Sequence, residues 1–188
     1  MTITLVLLAS ALRAQNHQGL ELLDRSVLIP AETNRDWVGR GRLLDRGDGT
    51  WLYLYVHGNH HGLRDTTKKV HLRFSTDEGK SWTKEDTLPD GSAVKGMPVL
   101  PPENVELGEV GLVQCPNGDL LALHRRIDAK DRKRLGEGLM RSKDGGRSWQ
   151  SEGIVMGDTA IKQSLDHCVA GKTILVPFVQ GQMRTKAG

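Results

Sequence analysis

The chain has 188 residues, with 26 Lys and Arg against 23 Asp and Glu and a formal net charge of +3. That is long enough to bury a core in one domain, and too weakly charged to imply nucleic acid or an anionic membrane as a partner. Its 22 glycines exceed the average usage of about 7% and point to a turn-rich β protein.

The N-terminal apolar run ends before Arg13. At about ten residues it is far short of the roughly 20 needed to cross a bilayer, so no membrane span is expected. It fits the apolar core of a secretory signal over 1–14, cleaved after Ala14, which would make the protein secreted or periplasmic and leave 15–188 as its folded part. No Lys or Arg precedes the run, and Leu12 is large for a position three before a cleavage site; a mis-chosen start codon or a first strand are the alternatives.

After a polar stretch, Ser26 to Ile29 is a short β run stopped by Pro30. Val38 to Leu44 reads as a strand, Asp45 to Thr50 as a glycine turn, and Trp51 to His57 as a strongly β run rich in aromatic residues. A polar loop follows, 58–67. Val70 to Phe74 is a strand entering a turn, and Trp82 to Leu88 is a strand leaving it. Pro89 to Pro102 is a Gly/Pro-rich connection, and then the cycle repeats: a strand at Val110–Gln114, a turn at Cys115–Gly118, a strand at Asp119–His124, a charged loop at Arg125–Arg134, a strand at Gly136–Arg141, and a strand at Trp149–Val155. A third cycle begins with strands at Ser164–Ala170 and Thr173–Val179 around Gly171-Lys172.

The repeat is sharpest in two stretches, Ser75-Thr76-Asp77-Glu78-Gly79-Lys80-Ser81-Trp82 and Ser142-Lys143-Asp144-Gly145-Gly146-Arg147-Ser148-Trp149. Both read S-x-D-x-G-x-S-W. Ser and Asp side chains can bond the backbone of the turn that holds them, Gly tolerates the positive φ of a tight hairpin, and the Trp opens the next strand with a large apolar ring. The turn glycines Gly49 and Gly118 differ by 69 positions, close to the 67 between the two boxes, so the repeat spans most of a four-stranded unit.

The pattern resembles the Asp-box of the sialidase (BNR-repeat) superfamily, where it marks the turn between the third and fourth strands of a propeller blade. The resemblance implies an all-β chain: a partial β-propeller of sialidase type with about two and a half four-stranded blades, blade one at about 38–88, blade two at about 109–155 and a partial blade three at about 164–188. It covers less than half of a six-bladed ring. The chain is therefore read as the N-terminal part of a larger propeller, whose exposed edges would meet the missing blades or another copy of itself.

In such a blade successive turns alternate between two ends. The boxes and the Arg46-Gly47-Asp48 turn share one end, which also removes an adhesive reading of that tripeptide. The other end carries 30–38, 58–68, 125–135 and 156–163, and sialidase-like enzymes work there. The segment from Arg40 to Thr50 is similar to the one in which a family arginine, in an R-I-P motif, precedes a D-G-T turn and grips the sugar carboxylate. Arg40 takes that role by position, ahead of Arg42, with Gly41-Arg42 in place of I-P; a guanidinium fork suits a carboxylate. Asp65 stands where the family carries its acid/base aspartate. The family's tyrosine nucleophile and its glutamate come from later blades. Tyr53 and Tyr55, two apart on one strand, are expected in the core, and Glu106 and Glu109 match no family motif.

His57, His60, His61 and His71 cluster in sequence, but no Cys or carboxylate completes a metal-ligand spacing, so neither metal nor cofactor is expected. Cys115 and Cys168 are either two thiols or one disulfide. The basic run Arg125–Arg134 lacks interleaved aromatics and reads as solvated loop, not as a nucleic-acid surface. Two functions remain: part of a secreted sialidase-like glycoside hydrolase acting on sialylated or related acidic glycans and inactive alone, or a non-catalytic Asp-box propeller binding glycans or a protein partner.

Overall fold

The computed structural model describes residues 37–59 and 66–155, with strands at 161–164, 168–170, 173–175 and 178–180 followed through their backbone only; Arg40 is likewise placed by its backbone. The signal segment 1–14, the run Ser26–Ile29, His60, His61 and Asp65 lie outside the described residues.

The fold is a partial β-propeller without a helix among the described residues, so no helix there is long and apolar enough to cross a membrane. Strands β1 (Trp37–Asp45), β2 (Trp51–Gly58) and β3 (Lys69–Ser75) form one antiparallel sheet. A second, four-stranded sheet follows in simple up-and-down order: β4 (Val105–Gln114), β5 (Leu120–Asp128), β6 (Arg134–Ser142) and β7 (Gln150–Val155). Beyond it β9 (Cys168–Ala170) pairs with β10 (Thr173–Leu175), and β8 (Ile161–Ser164) pairs with β11 (Phe178–Gln180). These short pairs continue nearly the same register, as one interrupted hairpin would.

The period-two pattern of β2 explains how the first two sheets meet. Leu52, Leu54 and Val56 point to one face with Val70, Leu72 and Phe74 of β3. They join Val105, Leu107, Val110, Leu112, Leu120, Ala122, Met140 and Trp149 of the second sheet in a single buried core. β1 and β4, the first strands of the two sheets, lie side by side.

Three sequence expectations change. Trp82–Leu88 is not a regular fourth strand, although it runs beside β3. Thr83 N–H donates to the Phe74 carbonyl at 2.9 Å and Asp86 N–H to the Leu72 carbonyl at 2.8 Å. In return, Phe74 N–H donates to Thr83 Oγ1 at 3.1 Å and Leu72 N–H to Asp86 Oδ1 at 3.0 Å. Side chains thus stand where strand carbonyls would, satisfying the edge without a ladder. Arg125–Asp128 is the end of β5 and Arg134 the start of β6, so the charged loop shrinks to 129–133. Glu106 and Glu109 fall inside β4, not before it.

The two boxes are built alike. In the first, Ser75 Oγ donates to Asp77 Oδ1 at 2.8 Å and accepts from Gly79 N–H at 2.8 Å, Ser81 N–H donates to Asp77 Oδ1 at 2.8 Å, and Trp82 Nε1–H closes on the Gly79 carbonyl at 3.0 Å. In the second, Ser142, Asp144, Gly146, Ser148 and Trp149 repeat each bond within 0.1 Å, at 2.8, 2.8, 2.9 and 3.0 Å. Gly146 has φ +94°, and a Cβ there would stand 2.9 Å from Leu52, so this turn is also a close approach between sheets. Arg46 Nη1 donates to the Gly145 carbonyl at 3.2 Å and its Nη2 pairs with Asp48 at 2.9 Å, which commits the Arg-Gly-Asp turn to the contact between the sheets.

The two Trp residues differ in burial: Trp149 is 4% exposed and belongs to the core, whereas Trp82 is half-buried. Trp149→Ala is expected to cost about 3–5 kcal/mol in urea unfolding, and Trp82→Ala clearly less. Equal losses would show that the rings act as turn closures and not as core.

Candidate functional site

The charged residues missed in sequence gather at one end of the sheets, where β1, β3, β4 and β6 begin and β2 and β5 finish. Both first strands carry a bulge there. In β1 the register slips between Gly39 and Arg42, and in β4 between Leu107 and Val110. The bulged pairs are Arg40-Gly41 and Gly108-Glu109, each a charge beside a glycine. A bulge re-aims a side chain out of the regular ladder. Gly41 has a packing reason as well: a Cβ there would lie 2.1 Å from the Tyr53 hydroxyl. That explains why glycine follows the arginine here.

Two sets of ion pairs surround the bulges. Lys68, just before β3, donates to Glu106 Oε1 at 2.7 Å, with both side chains only 4% exposed. Arg132 of the 129–133 loop grips the other oxygen of Glu106. The Lys68 ammonium also sits 4.9 Å from the centre of the Trp37 ring, a cation–π contact. This set ties the first sheet to the second. In the other set, Glu109 contacts Arg125 across β4 and β5, and Arg125 lies directly opposite Glu137 of β6. Glu109, Arg125 and Glu137 thus form a carboxylate–guanidinium–carboxylate row over three strands. Arg125 replaces a hydrophobe in the buried alternation Leu121, Leu123, Ile127, which is the one signal that could have marked it in sequence.

Burial pushes the Glu137 carboxyl up to about 7, against the pull of the Arg125 and Arg134 charges. A poised carboxyl is what acid/base chemistry needs, yet Glu137 is only 3% exposed, so its proton is not offered to a solute. Its neighbour His124 leans over Gly138, where a Cβ would meet Nε2 at 2.2 Å. Burial first, and then the Arg126 charge, hold His124 down at about 4, so it is neutral.

Of the residues expected from sequence, Arg40 lies in the β1 bulge and Asp65 lies outside the described residues. Tyr55 is fully buried, but not as a plain core residue: it stacks between Tyr53 and His71 at centroid distances of 5.1 and 5.9 Å. Its hydroxyl donates to Glu85 Oε1 at 2.6 Å and accepts from Arg73 Nε at 3.1 Å. A tyrosine–glutamate pair therefore does form within this chain. Its electrostatics run against nucleophilic use. Burial, then the hydrogen bond and charge of Glu85, raise the Tyr55 hydroxyl far above its ordinary value. Burial alone would raise Glu85 too, but hydrogen bonds from His57 and Tyr55 and the nearby imidazoles hold it at about 2, too weak a base.

His57 and His71 meet Glu85 here. His57 Nδ1 is 3.0 Å from Glu85 Oε1, and His71 Nδ1 is 2.7 Å from Asp86 Oδ2 and 3.5 Å from Glu85 Oε2. The carboxylate absent from the local histidine spacing arrives from a segment nearly thirty residues on. Cys115 is a free thiol. A shallow depression lined by Ser75, Thr76 and Trp82 lies at the opposite, box end and holds none of these charges.

No protein-family model and no curated protein match the chain. Among solved structures it is similar to a protein of unknown function from Dyadobacter fermentans DSM 18053, with a TM-score of 0.52 and 20% identity over 74% of this chain and 33% of that one. At that identity the likeness speaks for the fold alone. The chain also aligns with an alpha-L-arabinanase from Penicillium chrysogenum, solved with arabinobiose, at a TM-score of 0.45 and 13% identity over 76% of this chain and 39% of that one. The chain thus spans about a third of the length of each solved protein.

The titration of Glu137 can be read in stability. Unfolded, the carboxyl titrates near 4.5; folded, at about 7. Across that window the folded state keeps a proton that the unfolded state has released, so this group makes stability fall as pH rises. His124 works in the opposite sense below its ordinary 6.5, because only the unfolded chain protonates there. Comparing the parent with Glu137→Gln isolates the carboxyl. Between about pH 5 and pH 8 the stability difference should move in favour of the variant by on the order of 3 kcal/mol. A pH-independent difference in urea unfolding would show that Glu137 is ionised throughout.

Proposed function

We propose that this chain supplies the first blades of a sialidase-like propeller that handles sialylated or related acidic glycans. The ligand carboxylate docks at the bulged end of β1 on Arg40, and Asp65 is the acid/base group of the complete glycoside hydrolase. The observation supporting this reading is the bulge shared by the two first strands. In each strand the bulged residues are a charged residue and a glycine, near the end of the blades where glycan chemistry is expected.

The Tyr55–Glu85 pair favours a second reading for the chain by itself. Neither group is electrostatically fit for covalent catalysis, so the described residues support binding of a glycan without turnover. A non-catalytic Asp-box propeller would have this character. Secretion through a cleaved 1–14 segment accords with both readings.

The purified chain is expected to bind sialylated glycans in preference to neutral ones and to leave a fluorogenic sialoside intact. Arg40→Gln should weaken binding by roughly ten- to a hundredfold, the worth of a hydrogen bond to a charged group. Binding that ignores the acidic sugar, or that survives Arg40→Gln unchanged, would remove the carboxylate from the reading. Turnover of the sialoside would remove the binding-only alternative.

A further inference from the structure

The row of side chains on the face of β2 and β3 away from the apolar core is not absorbed by the glycan reading. Tyr55, His57, His71 and Arg73 stand on it, with Glu85 and Asp86 delivered by the irregular segment beside β3. Tyr55 and His71 are cross-strand partners and His57 pairs with Lys69, so the two histidines are diagonal neighbours on one face of adjacent strands. Such neighbours are within side-chain reach, and their ring centroids are 5.8 Å apart.

We propose that His57, His71 and Glu85 form a site for a divalent transition-metal ion of the zinc type. One ligand atom from each lies within 4.8 Å of those from the other two. The Glu85 oxygens are 3.0 Å from His57 Nδ1 and 3.5 Å from His71 Nδ1. An ion holding ligands at about 2.0–2.2 Å in a tetrahedron sets them roughly 3–3.5 Å apart, the spacing at which Glu85 already stands from each imidazole. Two imidazoles and one carboxylate suit Zn2+, with one position left for water or a ligand, and do not suit the all-oxygen preference of Ca2+ or Mg2+.

The surroundings fit as well. Asp86 Oδ2 lies 2.7 Å from His71 Nδ1 and its other oxygen is held by Leu72 N–H at 3.0 Å, so Nδ1 releases this hydrogen bond when it takes the ion and Asp86 stands beside the site as a further carboxylate. Tyr55 O–H braces Glu85 at 2.6 Å. Hydrogen-bonding groups behind the ligands, such as this hydroxyl, orient them at metal centres. His57 and Glu85 keep 27% and 28% of their side-chain surface exposed, which leaves a path for the ion. Arg73 is the counterweight: its Nη2 is 4.0 Å from Glu85 Oε1, a positive charge that the ion must share the carboxylate with.

Calorimetric titration of the purified full chain with Zn2+ tests this without reference to any glycan. One ion should bind per chain, and Co2+ in its place should give visible d–d bands of a tetrahedral or five-coordinate centre. His57→Gln and Glu85→Gln, checked for unchanged far-UV circular dichroism, should each weaken Zn2+ by roughly tenfold or more and abolish the Co2+ bands. Arg73→Met should tighten binding. If Glu85→Gln does not fold, His57→Gln decides alone, because that partly exposed ring lies outside the core. No heat of binding, equal affinity in the His57 variant, or displacement of Zn2+ by equimolar Ca2+ would overturn the proposal.

Discussion

The constraint on which this structure depends is the burial of one ring by one hairpin. Asp144 accepts from the backbone and side chain of Ser148, and Ser142 ties Gly146 to the same knot. That knot turns the chain so that Trp149 enters the core, where its N–H finds the Gly146 carbonyl. The backbone of the same residue reaches further. Trp149 N–H donates to Lys95 O at 2.9 Å, and Lys95 N–H to Arg147 O at 3.1 Å. The connection between the two sheets is thereby laced to the second box. Gly96 must be glycine there, since it has φ +80° and a Cβ would lie 2.2 Å from the Trp149 carbonyl. Without the knot, both the core and the inter-sheet stitch lose their anchor.

The hairpins were legible because a turn is a local device. Ser, Asp, Gly, Ser and Trp each act on residues within a few positions, so the code and its geometry sit in the same eight letters. The strands from Trp37 to Ser75 were legible for a similar reason, through alternation against one core. What escaped were contacts whose partners arrive from afar. Arg125 read as part of a solvated basic run because its partners, Glu109 and Glu137, are on other strands. Lys68 carried no signal of its own until Glu106 came to it from the next sheet. The Trp82–Leu88 stretch read as strand because its composition is indifferent, whereas Thr83 and Asp86 compete with the ladder through their own side chains.

The same distance between letters and partners governs the site. Arg40 was picked out by position relative to a turn, and its backbone lies in the β1 bulge. The bulge in β4 had no sequence signal beyond Gly108, and it takes Glu109 out of alternation and into contact with Arg125. Histidine spacing alone did not show the cluster of His57, His71 and Glu85, because spacing is read along the chain while Glu85 comes in from the side.

β2 shows how such a sheet can separate its duties. Its even-numbered residues, Leu52, Leu54 and Val56, are committed to the core, and replacing any of them would open a cavity between the sheets. Its odd-numbered residues, Tyr53, Tyr55 and His57, meet His71, Arg73 and Glu85 through hydrogen bonds and ring stacking. A polar row of this kind is stable only when its members satisfy each other. The fold therefore resides on one face of the strand and the chemistry on the other. This is how the box repeat can be read so firmly from sequence while the function it carries stays open to the residues that alternate with it.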